Sequence, residues 1–153
     1  MALELTSTAF QHGETIHEQY TADGRNASPP LNWSEPPAGT RSLALVCEDP
    51  DAPRGTFTHW VVFNLPADSR ELSESVSNES SLPTGTAQGT NDFGKVGYGG
   101  PSPPAGKPHR YVFKLFELDR PLDLQPGATK DQLLAAARGH VLGEAELMGT
   151  YGR

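Results

Sequence analysis

DPDAPRGTFTHW, residues Asp49 to Trp60, joins two apolar runs, Leu43–Glu48 and Trp60–Leu65. Within it stand two carboxylates, two X-Pro bonds, a glycine and a histidine, more chemistry than a plain connection between strands requires. Each proline fixes its own φ and biases the residue before it away from helix, so the segment reads as a rigid extended loop. Such a loop holds a carboxylate at one end and an imidazole at the other. X-Pro bonds are only weakly biased to trans and this short loop must re-aim a carboxylate, so at least one of Asp49–Pro50 and Ala52–Pro53 is expected to be cis. A second loop-like stretch, Gly97–Tyr111 (GYGGPSPPAGKPHRY), closes on another histidine.

Outward from the first loop, Ser42–Glu48 and His59–Leu65 are rich in β-branched and aromatic residues, apolar on both faces. They read as strands at the centre of a sandwich. His109–Leu118 is a third strong strand, Val141–Met148 a last one, and residues 2–8 a half-buried first one. Residues 11–41 are dominated by turn chemistry, with short strands expected near Ile16–Tyr20 and Leu31–Trp33. The polar, then Gly-rich connection Pro66–Gly97 is long for a compact domain, which points to function or to a short element near 69–76. Lys130–Arg138 reads as a helix. Thr129 caps it, Gln132 completes a capping box, Leu133, Leu134 and Ala137 form a face, and Gly139 suits the C-terminal turn. Many strands and one helix predict an all-β antiparallel sandwich.

At 153 residues the chain reads as a single domain over residues 1–153, long enough to bury a core without disulfides. A mean hydropathy of −0.51 is polar for a globular chain. The 16 Gly and 14 Pro account for much of that, as turns and shaped loops. Nineteen acidic against twelve basic residues leave a net charge of −7. That charge argues against nucleic acid or an anionic membrane as a partner, so any anion site must be built locally. The single Cys47 lies inside an apolar run and reads as a small buried hydrophobe. The chain opens on no charged and apolar leader pattern and contains no run long enough to span a bilayer. A cytoplasmic protein without membrane insertion is expected, as a monomer or a homodimer.

Side chains two apart on a strand share a face. Asp49 is in register with Leu43, Leu45 and Cys47; His59 with Val61, Phe63 and Leu65; His109 with Tyr111, Phe113 and Leu115. Each strand thus carries one polar residue at the end of an apolar stripe. If 43–49 and 58–65 are antiparallel neighbours and the strand from His109 runs parallel to the second, Asp49, His59, His109 and Tyr111 meet at one rim of the core. By contrast His12 and His17 read as surface loop residues. Four readings stay open for the cluster. It is satisfied polarity under loops, an anion site with imidazole, phenol and amide donors, a two-histidine, one-carboxylate metal centre, or an Asp–His general base. No G-x-S-x-G, HExxH or P-loop is present to support a hydrolase, zincin or nucleotidase.

DPDAP at 49–53, His59-Trp60 with VVFNLP after it, NDFGKVGYGGPSPPAGKPHRY at 91–111 and the terminal EAELMGTYGR resemble the phosphatidylethanolamine-binding protein family. The closer likeness is to its bacterial and archaeal, Raf-kinase-inhibitor-like branch, and SPPLNW at 28–33 and SLAL at 42–45 fit the same pattern. The resemblance runs from about residue 3 to the end. It implies a Greek-key β-sandwich of two sheets with a small anion pocket at one end of the large sheet. Carried onto this sequence, the pocket is formed by Asp49, His59, His109 and Tyr111, bordered by Gly100 and Pro101, with Pro53 and Phe57 as walls. Ser102 and Ala22 stand where many prokaryotic relatives have cysteine, so no redox role is implied. The expectation is a protein that binds a small anion or phosphorylated small molecule and modulates kinase or phospho-signalling, with neither metal nor cofactor. A protein partner, a weak hydrolase or acid/base activity on the same cluster, and an interaction-only role are the alternatives.

Overall fold

Strands form where the β-branched and aromatic runs lie. The computed structural model describes residues 3–153. In chain order it holds β1 (Leu5–Thr6), β2 (Leu31–Trp33), β3 (Ser42–Asp49), β4 (Phe57–Pro66), β5 (Glu71–Leu72), β6 (Ala87–Gln88), β7 (His109–Leu118), α1 (Lys130–Ala137) and β8 (Val141–Tyr151). They build two antiparallel sheets, a small one in the order β1-β2-β5 and a large one in the order β6-β4-β3-β7-β8. β3, β4 and β6 are successive neighbours, apart from an excursion of the chain through β5. β7 then returns to lie beside β3, which is the Greek-key arrangement. Since β4 and β7 both pair antiparallel with β3, they run parallel to each other and begin at the same end of the sheet.

Three sequence expectations are refined. The strand over residues 2–8 narrows to β1, residue 2 lying outside the described residues. Ile16–Tyr20 is not a strand: Glu18–Tyr20 is a single 3₁₀ turn, because Tyr20 N and Thr21 N bond back to His17 O and Glu18 O. The long Pro66–Gly97 connection contains two short strands, β5 and β6, each pairing with an edge of a sheet.

The centre of the large sheet, β3 and β4, is buried on both faces, as its doubly apolar strands require. On the inner face Leu43, Leu45, Cys47, Trp60 and Phe113 pack against Leu31 and Trp33 of the small sheet. On the outer face Ala44, Val46, Val61, Phe63 and Phe116 lie under Leu122, Leu133 and Ala137. One chain therefore covers both apolar faces itself. α1 turns Leu133 and Ala137 to that core, whereas Leu134 is 40% exposed and does not belong to the face. Thr129 and Gln132 close a reciprocal capping box at its start.

Because α1 is short, its cap matters: Thr129→Ala is expected to cost about 1 kcal/mol. In a domain of this size that lowers the melting temperature by about 2–4 °C. Thr129→Ser should restore it, and a melt unchanged by Thr129→Ala would show that the cap contributes nothing.

β8 is an edge strand covered over only part of its length. Gly13 N and Ile16 N donate to Met148 O and Thr150 O, and Thr150 N donates to Glu14 O. Among the described residues, no helix is long and apolar enough to cross a membrane.

Candidate functional site

The rim where β3 ends and β4 and β7 begin carries Asp49, His59, His109 and Tyr111, respectively 3%, 3%, 9% and 1% exposed. Simple alternation explains three of them. Asp49, His109 and Tyr111 continue the inner stripes of Leu43–Cys47 and Phe113–Leu115. His59 does not follow, since Trp60 and Val62 occupy the inner face of β4 and alternation alone would aim His59 outward with Val61 and Phe63. A bulge resolves this. Cys47 pairs with Trp60 and Glu48 with Thr58, so His59 is the extra residue and turns inward beside Asp49. A second bulge, with Asn64 at φ 58°, returns Leu65 to the inner core.

Each histidine is fixed through Nδ1. His109 Nδ1 donates to Asp49 Oδ2 at 2.7 Å. His59 Nδ1 donates to Gly99 O at 2.6 Å, while His59 O accepts from Gly99 N. A carbonyl can only accept, and an ionised carboxylate likewise, so both Nδ1 atoms carry hydrogen and Nε2 is the ring nitrogen left over in each. Burial holds the His59 pKa below its ordinary value, against the Gly99 carbonyl and the Asp49 charge, which favour the imidazolium. The Tyr111 hydroxyl is buried without any hydrogen-bond partner in the protein. Its pKa is raised, first by burial and then by the charge of Asp49.

The loop after Asp49 is shaped by turn chemistry, not by a cis bond. No peptide bond among the described residues is cis, so the expectation for Asp49–Pro50 or Ala52–Pro53 fails. Asp49 Oδ1 accepts from Asp51 N at 2.7 Å, and Gly55, at φ 107°, donates to Ala52 O. These two devices reverse the chain with trans prolines. Arg110 then ties the loop to β7 through its backbone N, Nε and Nη2, all on the Asp51 carboxylate, which it holds down at about 2.

A cavity of about 190 Å³ opens over this cluster. Asp49, His59, His109 and Tyr111 line it, as do Pro53 and Phe57. Gly100 and Pro101 do not. Gly100 N donates to Asn26 Oδ1 and Pro101 O accepts from Ala22 N, so they anchor the preceding turn from behind the wall. Ser102, Pro103 and Pro104 form the wall in their place, and Arg153 holds it by donating to Pro103 O and Ser102 Oγ. Phe93 and Ala52 also line the cavity. The Phe93 ring lies 4.7 Å from Phe57 and 5.4 Å from His59, edge-on, and His59 meets Tyr111 at 5.3 Å. His59 is thus framed by three aromatic rings. Among the described residues, no three His, Cys, Asp or Glu side chains are grouped to hold a metal ion.

Chemically, the cluster offers two Nε2 positions that donate only when protonated and one phenol that can always donate. Those suit an oxyanion small enough for a 190 Å³ space, which has room for about six water molecules at about 30 Å³ each.

The sequence model of a family described as phosphatidylethanolamine-binding protein matches residues 6–152. A UPF0098 protein of Methanothermobacter thermautotrophicus is 52% identical, with 99% of both chains covered. A UPF0098 protein of Aquifex aeolicus is 46% identical over 99% of this chain and 89% of its own. Among solved structures, Escherichia coli YbcL, a member of the mammalian PEBP family, superposes with a TM-score of 0.92 at 33% identity, covering 100% of this chain and 99% of its own. CT736 of Chlamydia trachomatis, a PEBP homologue, gives 0.91 at 41% identity, with 99% and 98% covered.

Proposed function

The chain belongs to the phosphatidylethanolamine-binding protein family, and from that premise we propose that it binds a phosphate-bearing small molecule in the cavity over Asp49, His59, His109 and Tyr111. The observation that carries this reading is the Tyr111 hydroxyl, buried in the cavity wall beside Asp49 without a well-formed hydrogen bond in the protein. An unsatisfied buried donor costs about 1–3 kcal/mol, a cost that a bound oxyanion removes. Asp49 fixes the His109 tautomer, while the aromatic frame limits water around His59. An acidic protein repels anions at long range, so affinity rests on these short-range donors.

Tyr111→Phe separates a binding role from a structural one. Removing a donor without a protein partner should leave the melting temperature unchanged or raised. Inorganic phosphate, titrated calorimetrically at pH 6, should bind about tenfold more weakly, the value of roughly one charge-assisted hydrogen bond. A variant that melts lower and binds phosphate as tightly as the parent would overturn the reading.

One observation favours a second reading. The Asp49–His109 pair has the geometry of an oriented general base. Multiple-turnover release of phosphate from phosphoesters, lost in His109→Ala, would establish the enzyme over the binding protein.

A further inference from the structure

On the far side of the Phe93 ring lies a second cavity, of about 440 Å³, which shares Phe93 and Ser102 with the first. We propose that this cavity receives a second acidic group of the bound phosphomonoester, a carboxylate or another phosphate on a short carbon chain, with Lys95 as its cation. The proposal rests on the phosphate reading of the first cavity and names the class of compound that fills both.

Chemically the two spaces differ. The first contains the Asp49 carboxylate and is framed by aromatic rings and prolines. No acidic side chain lines the second, whereas Lys95 does, on a chain of net charge −7. Among the described residues, Lys95 has no carboxylate within salt-bridge distance, in contrast to Lys114 and Lys130, which both engage Glu48. An ammonium without a counter-ion beside the amides of Asn26 and Asn78 is a donor-bearing surface suited to an anion.

The wall is built to hold that surface in place. Asn91, 4% exposed, accepts from both Phe93 N and Lys95 N and donates to Gly97 O, so one buried side chain fixes the backbone of the partition and of Lys95 together. Gly99 lies under the Phe93 ring, where a Cβ would come within 2.5 Å of Cδ2. Asn26 sits at φ 56°, a left-handed conformation that asparagine tolerates better than most residues. From there its Oδ1 takes Gly100 N at 2.7 Å, which leaves the Nδ2 amide of this lining residue available as a donor. A Cβ at Gly100 would stand 2.6 Å from that Oδ1 and 2.5 Å from Tyr20 O, so the contact requires glycine. Phe93 and Ser102 border both cavities, and Phe93 is 44% accessible, so a substituent on a phosphate bound over Tyr111 can reach the second cavity past the exposed edge of that ring.

Four probes titrated at pH 6 test this: inorganic phosphate, propyl phosphate, 3-phosphoglycerate and the longer 6-phosphogluconate. At least one carboxylated probe is expected to bind about tenfold more tightly than propyl phosphate, as one charge-assisted contact would give. Lys95→Met should abolish that gain while leaving inorganic phosphate within about twofold of the parent, which also certifies the fold of the variant. Carboxylated and propyl probes of equal affinity, or a gain that survives Lys95→Met, would overturn the second site and leave the phosphate reading standing. Failure of all four probes to bind would remove both.

Discussion

Phosphate bound at pH 6 should weaken by about tenfold or more at pH 8, and binding should vanish in the double variant His59→Ala/His109→Ala. Both Nδ1 atoms are committed as donors, to Gly99 O and Asp49 Oδ2, which leaves Nε2 as the nitrogen of each ring that can meet an anion. Protonated, Nε2 donates to a phosphate oxygen; deprotonated, its lone pair faces that oxygen. Burial lowers the His59 pKa, so the free protein holds this ring mostly neutral at pH 7 and the anion must draw a proton in with it. Linkage then weakens binding as pH rises.

Without ligand the sign reverses. With its folded pKa below the unfolded value of about 6.5, His59 is protonated first in the unfolded chain, so it lowers stability as pH falls through that value. Thermal melts with and without phosphate at pH 6 and pH 8 should therefore diverge most at pH 6. Phosphate itself titrates in this range, so sulfate, a dianion throughout, serves as the control. A divalent metal would show the opposite trend, because it needs neutral imidazoles. Phosphate that binds more tightly at pH 8, or unaltered in the double variant, would remove the histidines from the site.

Asp49→Ala should destabilise the fold by about 3 kcal/mol, since it strips one buried and one half-buried donor of their acceptor at about 1–3 kcal/mol each. These donors are His109 Nδ1 and Asp51 N, both 2.7 Å from the carboxylate. At about 2–4 °C per kcal/mol for a domain of this size, the melting temperature should fall by roughly 6–12 °C. Asp49→Asn should cost less, about 1–2 kcal/mol, because one carboxamide oxygen can serve only one of the two donors. If that oxygen stays on Asp51 N, the amide NH₂ faces His109 and drives the ring to the other tautomer. Nε2 then carries hydrogen even when neutral, so phosphate binding in Asp49→Asn should depend less on pH. An Asp49→Ala protein that melts within 1–2 °C of the parent would show that the carboxylate does not hold the rim together.

What the sequence made legible follows the physics of each element. β7 occupies His109–Leu118 as its alternation required, and the capping box of α1 was readable at Thr129 and Gln132 because both halves of that motif are local. The bulge at His59 was not readable. Thr58-His59-Trp60 alternates like any strand, and the extra residue exists only relative to Cys47 and Glu48 on the neighbouring strand. Alternation nonetheless placed the other three site residues on one face. The resemblance put Gly100 and Pro101 at the pocket border, yet they are taken up by contacts to Asn26 and Ala22, and the wall falls to Ser102–Pro104. Phe93 went unnoticed in a Gly-rich turn. A lone aromatic among turn residues, fixed by the preceding Asn91, was the available signal. The cis bond was expected because a short loop must re-aim Asp49; the carboxylate itself closes the turn instead.

The partial cover of β8 bears on how copies of this chain meet at high concentration. Met148 and Thr150 have their outward backbone groups taken by residues 12–16, Met148 N by His12 Nδ1, but among the described residues the earlier part of that edge pairs with no strand. An unpaired edge is a template for sheet-to-sheet growth into aggregates. Here it carries Glu144 and Glu146, both exposed, around the buried Ala145. Any antiparallel self-pairing centred on Glu144, Ala145 or Glu146 sets one glutamate opposite another, and like charges directly opposed are destabilising. Two carboxylates thus guard the stretch that residues 12–16 leave open, and acid that neutralises them would take the guard away.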